Sequence, residues 1–247
     1  MSGGTEGRGM AELAALLADD TRAGICVALL DGRAWTAGEL ARRAGVAPST
    51  ASDHLTRLVR GGLLVEERQG RHRYLRLAGP SVAQLIEDLA GHAPTPPAPA
   101  GSLRAANANS ALAYARTCYD HLAGRLGVLM YDALLADGRL DRSSGLALTS
   151  EGWAWAAELG VPVHALRTAR RPVVRDCLDW TERRPHLAGA LGAALCRCFT
   201  DRGWITPGAG RAVRLTPTGR TALAETLDVP EQTLAPTPPP ALASGRA

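Results

Sequence analysis

Apolar residues between positions 10 and 30 predict two helices, Met10 to Ala18 and Thr21 to Leu30, the second supplying Ile25, Val27, Leu29 and Leu30 to a core. Cys26 lies among them with no partner nearby in sequence and reads as a small core residue. Thr36-Ala37-Gly38-Glu39 is a capping box that opens a further helix, which Gly45 ends in the manner of a left-handed C-terminal cap. Val46 fits the corner, and Pro48 suits the first turn of the next helix, which runs to Arg60 and stops at Gly61-Gly62. At about 100° per residue, Ala51, Leu55, Leu58 and Val59 share one face of that helix, while Ser49, Asp53, Arg57 and Arg60 share the other. Leu63 to Arg68 and Arg73 to Leu77 then alternate as strands around Gln69-Gly70-Arg71-His72, a hairpin with a cationic tip. A last helix is predicted over residues 81–91.

Helix, turn, helix and basic hairpin in this order make a winged helix-turn-helix, a shape that reads DNA. Ser49, Thr50, Asp53, Thr56 and Arg57 are expected at base edges in the major groove, with His54 and Arg60 nearer the backbone. Arg68, Arg71, His72 and Arg73 are expected at flanking phosphates or the minor groove. Asp53 either accepts from a cytosine amine or pairs with Arg57 four residues on. Any single exposed Arg is better explained as a solvated charge; the case rests on the whole arrangement. The alternative function is a winged-helix module for protein interaction or dimerisation that does not bind DNA.

Asp19-Asp20-Thr21-Arg22, the helix from Thr36, and Ser49-Thr50-Ala51-Ser52-Asp53-His54-Leu55 with Gly62-Leu63-Leu64 resemble the ArsR/SmtB-type winged-helix repressors. The resemblance covers residues 10–92 and shares its general plan with other winged-helix regulators. It implies a homodimer on a double-stranded DNA operator, with the first and last helices, about 10–18 and 81–91, at the interface. Family members that sense metals through the first helix of the motif carry cysteines there, where this chain has Ala37-Gly38-Glu39-Leu40-Ala41. Those that sense through the last helix carry paired Asp/His and His/Glu ligands, where residues 81–92 offer only Glu87, Asp88 and His92. A signal must therefore enter elsewhere.

The chain has 247 residues, about twice what a minimal winged-helix repressor needs, so a second domain is expected. Its net charge of +4 permits nucleic-acid binding without establishing it, and all 28 basic residues are Arg. No apolar stretch reads as a signal peptide or a membrane span, so a cytoplasmic protein with no membrane partner is expected. Five scattered cysteines do not form a disulfide framework. Residues 1–9 and 230–247 read as disordered, and 93–102 as a stiff Pro-rich linker.

Residues 103–229 contain an internal duplication. His121-Leu122-Ala123-Gly124-Arg125-Leu126-Gly127 recurs as His186-Leu187-Ala188-Gly189-Ala190-Leu191-Gly192, and Leu148-Thr149-Ser150-Glu151-Gly152 as Leu215-Thr216-Pro217-Thr218-Gly219. Each copy predicts a long apolar helix, a turn at Asp137-Gly138 or Arg202-Gly203, an extended segment and a Thr-capped helix, the order of the second half of a winged helix. The expected fold is mainly α with small β-wings: an N-terminal winged helix-turn-helix and a C-terminal pseudo-symmetric pair of winged-helix-like repeats. The glycines at 124/127 and 189/192 leave one side of each long helix bare, and the copies are expected to meet there.

Cys118 and His121, three apart on a predicted helix, can share one ion, and pseudo-symmetry adds Cys177 and His186 for a Cys₂His₂ set suited to zinc or another transition metal. The competing reading has the histidines bracing helices against Asp120 or Asp176 and Asp179 while the thiols pack as small hydrophobes; the unequal Cys-to-His spacing favours it. A redox-active thiol at Cys118 or Cys177 is a further possibility. Cys196 and Cys198 diverge by about 200° on a helix and do not chelate. Trp153, Trp155, Trp180 and Trp204 either line a pocket for an organic effector or complete a small core. Gly208-Ala209-Gly210 lacks a βαβ context, no nucleophile elbow, Walker loop or zinc-protease helix occurs, and an enzyme is not expected.

Overall fold

A computed structural model describes residues 3–70, 72–93 and 103–236. The chain divides into two compact units, Met1–Leu89 and Ala90–Ala247. Among the described residues, no helix is long and apolar enough to cross a membrane.

The first unit begins with helix α1 (Gly3–Leu17), which starts seven residues ahead of the expected Met10 because no proline interrupts it. Residues 3–9, read above as disordered, are therefore helical. Asp19 caps α2 (Asp20–Ala28), and a 3₁₀ turn (Leu29–Asp31) follows. Ile25, Leu29 and Leu30 are buried, but Val27 is exposed, since two residues from Ile25 it points to the far side of the helix. Arg22 donates to the carbonyls of Leu16 (2.5 Å) and Ala15 (2.9 Å), satisfying acceptors that the end of α1 leaves open.

Strand β1 (Trp35–Thr36) leads into α3 (Ala37–Ala44), whose capping box forms as the sequence predicts. Gly45, at φ +68°, supplies the left-handed turn into α4 (Pro48–Arg60). Strands β2 (Leu64–Gln69) and β3 (His72–Leu77) form the wing, with β1 pairing on β3 so that the wing is fastened to the start of α3. Arg71, at the wing tip, lies outside the described residues. Helix α5 (Pro80–His92) completes this part of the chain. Most of the predicted Pro-rich linker, 94–102, also lies outside the description.

The second unit holds α6 (Leu103–Tyr114), then a succession of elements that occurs twice. The first is hairpin β4 (Arg116–Cys118) and β5 (His121–Ala123), helix α7 (Arg125–Ala136), a minimal hairpin β6 (Leu140–Asp141) and β7 (Ala147–Leu148), and helix α8 (Ser150–Glu158). After a short helix α9 (Val163–Arg167) come hairpin β8 (Arg175–Leu178) and β9 (Pro185–Ala188), helix α10 (Gly189–Asp201), hairpin β10 (Ile205–Pro207) and β11 (Val213–Leu215), and helix α11 (Pro217–Leu227). One core runs through both successions, with Leu122, Leu126, Met130 and Leu134 packed among Leu187, Leu191, Leu195 and Phe199.

This arrangement corrects the expected long helix through His121 and His186. Those histidines lie on strands, and the helices begin only at Arg125, after Gly124 (φ +79°), and at Gly189 (φ +87°), the two glycines taking a left-handed conformation. A Cβ at either glycine would also meet a backbone carbonyl within 2.8 Å. Gly127 and Gly192 serve the expected close approach in another form, each helix admitting the other succession's histidine. A Cβ at Gly127 would stand 3.7 Å from His186 Cβ, and one at Gly192 would stand 3.3 Å from His121 Cβ.

The two Leu-Thr-x-x-Gly motifs have one physical cause. Thr149 and Thr216 accept from the N–H of Gly152 and Gly219 and donate their hydroxyls back to the turn before the preceding hairpin. That tie brings the helix so close that a Cβ at Gly219 would lie 2.0 Å from the Trp204 carbonyl oxygen, and one at Gly152 would lie 2.2 Å from that of Arg139. Gly219→Ala is accordingly expected to destabilise the protein by about 1–3 kcal/mol or more, because backbone must move to relieve the contact. Thermal unfolding checks this, and an unchanged midpoint would remove the steric account.

Residues 230–236 are not a free tail. A 3₁₀ turn over Glu231–Leu234 buries Leu234, whose carbonyl accepts from the Tyr114 hydroxyl at 2.5 Å. An apolar side chain at 234 that fills the core outweighs the surrounding Pro/Ala composition. Residues 237–247 lie outside the description.

Candidate nucleic-acid interface and a buried cysteine-histidine cluster

Helix α4 divides as its periodicity predicts, with Ala51, Leu55 and Leu58 buried and Ser49, Thr50, Asp53, Arg57 and Arg60 exposed. Thr56 is half-buried and its hydroxyl donates to the Ser52 carbonyl at 2.8 Å, so it is partly engaged within the helix. His54 departs from its expected place near a DNA backbone. Its ring turns toward α2, with Nδ1 3.4 Å from the Arg22 guanidinium and 3.6 Å from Asp19. Position 54 sits between the two faces of the helix, and the Asp19–Arg22 pair supplies polar partners there. Among the described residues no ion pair joins Asp53 to Arg57, so both present free groups on the exposed face.

On the wing, register sets Arg68 opposite Arg73. Like charges at facing positions repel, and Glu66 relieves this by accepting from Arg73 Nε at 2.7 Å, with Arg68 Nε 3.7 Å away. Arg73 is therefore largely neutralised within the hairpin, contrary to its expected use on phosphate, while Arg68 is 78% exposed. His72, Tyr74 and Arg76 alternate to the opposite face, where the rings of His72 and Tyr74 meet edge to face. Arg76 is exposed and was missed as a candidate, although the period-two pattern placed it with His72.

In the second unit, hairpin register pairs Cys118 with His121 and Cys177 with His186. The Cys-to-His spacings differ only because one hairpin turns through Tyr119-Asp120 and the other through a longer loop, which removes the objection drawn from spacing. The four side chains are buried, and their ligand atoms lie within 4.8 Å of one another. The two sulfurs are 3.7 Å apart, and the imidazoles stack with centroids 5.1 Å apart. The hydrogen bond with Cys118 and the two imidazoles beside it hold the Cys177 thiol far below its ordinary pKa, against the opposing effect of burial. Burial acts to lower the His121 pKa, but Asp120 and Cys177 raise it overall.

Two of the carboxylates that the bracing reading named, Asp120 and Asp179, flank the cluster. Asp120 lies 3.2 Å from His121 Nδ1 and accepts from Arg171 at 2.7 Å. Asp179, wholly buried, lies 3.8 Å from His186 Nδ1 and accepts from Arg116 (2.8 Å), from the N–H of Gly124 (2.6 Å), and from Thr181 and Glu182. Burial opposes ionisation of Asp179, but the Arg116 charge, the Thr181 hydroxyl and the backbone N–H groups prevail and bring its pKa down to about 2.

The four tryptophans do not gather around a common pocket. Each lies under its own guanidinium: Trp153 under Arg167, Trp155 under Arg139, Trp180 under Arg116 and Trp204 under Arg202. Trp155 is in the core and donates to the Thr226 carbonyl, and Trp204 stacks on Phe199. A cleft of about 330 Å³ does open on this unit, but Leu159, Pro162, Arg197, Cys198 and Arg202 line it, not tryptophan. Cys196 is buried and Cys198 donates to the Leu159 carbonyl, as expected of cysteines outside a chelate.

A family model described as a helix-turn-helix domain matches residues 17–67. The chain is 42% identical over 222 residues to YdfF of Bacillus subtilis (strain 168), an uncharacterized HTH-type transcriptional regulator; the match takes in 89% of this chain, hence both units, and 97% of the relative. It is 40% identical over 80 residues to the HTH-type transcriptional regulator CmtR of Mycobacterium tuberculosis, covering 32% of this chain and 67% of that protein. Among solved structures, it is similar to the homodimeric winged helix-turn-helix DNA-binding domain of a possible ArsR-family regulator from Mycobacterium bovis, at 30% identity over 36% of this chain and 81% of that one, with a TM-score of 0.34. The chain belongs to the family of HTH-type transcriptional regulators, and its first unit carries the winged form of the helix-turn-helix.

Proposed function

We propose that the protein is a homodimeric, sequence-specific repressor working in the cytoplasm, which reads its operator with α4 and receives its signal through the second unit. The observation that carries this is the split of α4, one face buried against the unit's core and the other presenting Ser49, Thr50, Asp53, Arg57 and Arg60 together. Hydroxyls, a carboxylate and guanidinium groups are the donors and acceptors that base edges and phosphates pair with. Dimerisation is supported by exposed apolar side chains on the two helices that the family resemblance assigns to it, Met10 on α1 and Leu89 on α5. The wing contributes charge more than sequence reading.

A gel shift on the intergenic DNA upstream of the gene tests the reading, a folded dimer that gives no shift at low salt being the adverse result. In the same assay Arg68→Ala is expected to weaken binding to all sequences alike and to lower the slope of log K against log salt by about 1. An unchanged slope would take the wing off the DNA.

A further inference from the structure

The cluster of Cys118, His121, Cys177 and His186 leaves buried nitrogens that no hydrogen bond accounts for. His121 Nε2 and both ring nitrogens of His186 are buried without a hydrogen-bond partner, in rings that are 4% and 1% exposed. Groups of this kind are rarely left so in a folded core unless something else engages them. We propose that these four side chains bind one zinc-class divalent ion, held tetrahedrally between hairpins β4–β5 and β8–β9 and closed to solvent.

Geometry, charge and surroundings each support this occupant. A tetrahedral ion with sulfur ligands at about 2.3 Å holds its two sulfurs about 3.8 Å apart, and Cys118 and Cys177 stand 3.7 Å apart. The remaining ligand atoms, within 4.8 Å of one another, need a contraction of about 1 Å to reach the spacing of such a site. Two thiolates and two neutral imidazoles carry a charge that one divalent cation cancels, so the buried set becomes neutral. Thiolate with imidazole is also the donor mixture that selects zinc and its congeners over magnesium, calcium or manganese. With four protein ligands no coordination position is left for a substrate, which marks a structural or sensing site and not a catalytic one.

The outer shell has the form that metal-bound histidines use. With the His121 proton on Nδ1, Asp120 accepts a hydrogen bond from it and the Nε2 lone pair is left for the cluster. Arg171 holds Asp120 in turn, while Asp179 stands beside His186 and is held by Arg116. Each hairpin thus supplies one thiol and one imidazole, and each carboxylate is fixed by an arginine from the other half of the unit. An ion at the centre ties the two successions together.

The test uses full-length protein, reduced and freed of metal, titrated with Co²⁺ in the absence of oxygen. One equivalent per chain is expected to give the strong visible bands of tetrahedral cobalt with thiolate-to-metal charge transfer, and one equivalent of Zn²⁺ should abolish them. Cys177→Ser should lose the bands and Cys198→Ser, outside the cluster, should keep them. Asp120→Asn should keep the tetrahedral spectrum while weakening affinity about 10–100-fold, the effect of loosening a positioning residue. The proposal is overturned if reduced, folded wild-type protein gives no tetrahedral spectrum, including the case in which it isolates with a Cys118–Cys177 disulfide and still takes up no Co²⁺ after reduction. It is equally overturned if the bands survive replacement of both cysteines. No DNA enters the measurement, so failure here leaves the repressor reading to its own gel shift, and failure there leaves the metal site standing.

Discussion

Asp179→Ala is expected to cost about 3–5 kcal/mol of stability, the range for breaking a buried ion pair by removing one partner. Arg116 and Asp179 are both 0% exposed, so the variant leaves a guanidinium in the core with its strongest partner gone. The N–H of Gly124, which starts α7, and those of Thr181 and Glu182 also lose their acceptor. Asp132→Ala is the matching control, because its pair with Arg184 is exposed and should contribute no more than about 1 kcal/mol. Denaturant unfolding followed by tryptophan fluorescence compares the two variants. Equal midpoints would mean that the buried pair contributes no more than the surface one.

The same carboxylate gives the unit an acid limit. Its folded pKa, near 2, lies below the ordinary 3.8, so the stabilisation is fully present above about pH 4 and is lost as pH falls toward 2. The difference of nearly two pH units corresponds to roughly 2 kcal/mol. Asp179→Ala should show a shallower fall in stability over that window than the wild type.

Arg57→Ala is expected to weaken binding to the operator by about ten- to a hundredfold, the 1–3 kcal/mol of a side chain that pairs with a base edge. Arg57 stands exposed on α4 one turn beyond Asp53, with no ion pair from that carboxylate among the described residues to hold it away from DNA. Its loss should be much smaller on random DNA, where the phosphate contacts proposed for the wing and for Arg60 would remain. Asp53→Ala should shift the preferred sequence more than the affinity. Fluorescence anisotropy on operator and random duplexes at two salt concentrations separates these outcomes. An equal loss on both duplexes would make Arg57 a phosphate contact and remove it from base reading.

The reading of α3 and α4 from sequence was detailed because their signals are local. A capping box, a left-handed glycine and a proline in the first turn act within a few residues, and the faces of α4 follow from helical period alone. The partners of His54 and Arg73 were not legible for the opposite reason. What engages each side chain is a group that periodicity does not report, the Asp19–Arg22 pair in one case and a cross-strand Glu66 in the other. For the tryptophans the sequence left a pocket and a small core as alternatives, because it shows only where they concentrate in the chain, and packing shows that each is covered by a separate arginine.

By itself the sequence determined that a winged helix-turn-helix precedes a half in which His-Leu-Ala-Gly and Leu-Thr-x-x-Gly recur, and that two cysteines and two histidines belong to that half. Only the tertiary structure decided that the recurring histidines lie on strands, since strands of three and four residues carry too little pattern to be told from helix and depend on their hairpin partners to exist. It also decided that Cys118, His121, Cys177 and His186 converge. Their sequence spacings are unequal, and cross-strand register, which sets each Cys opposite its His across loops of different length, is what brings them to equivalent places.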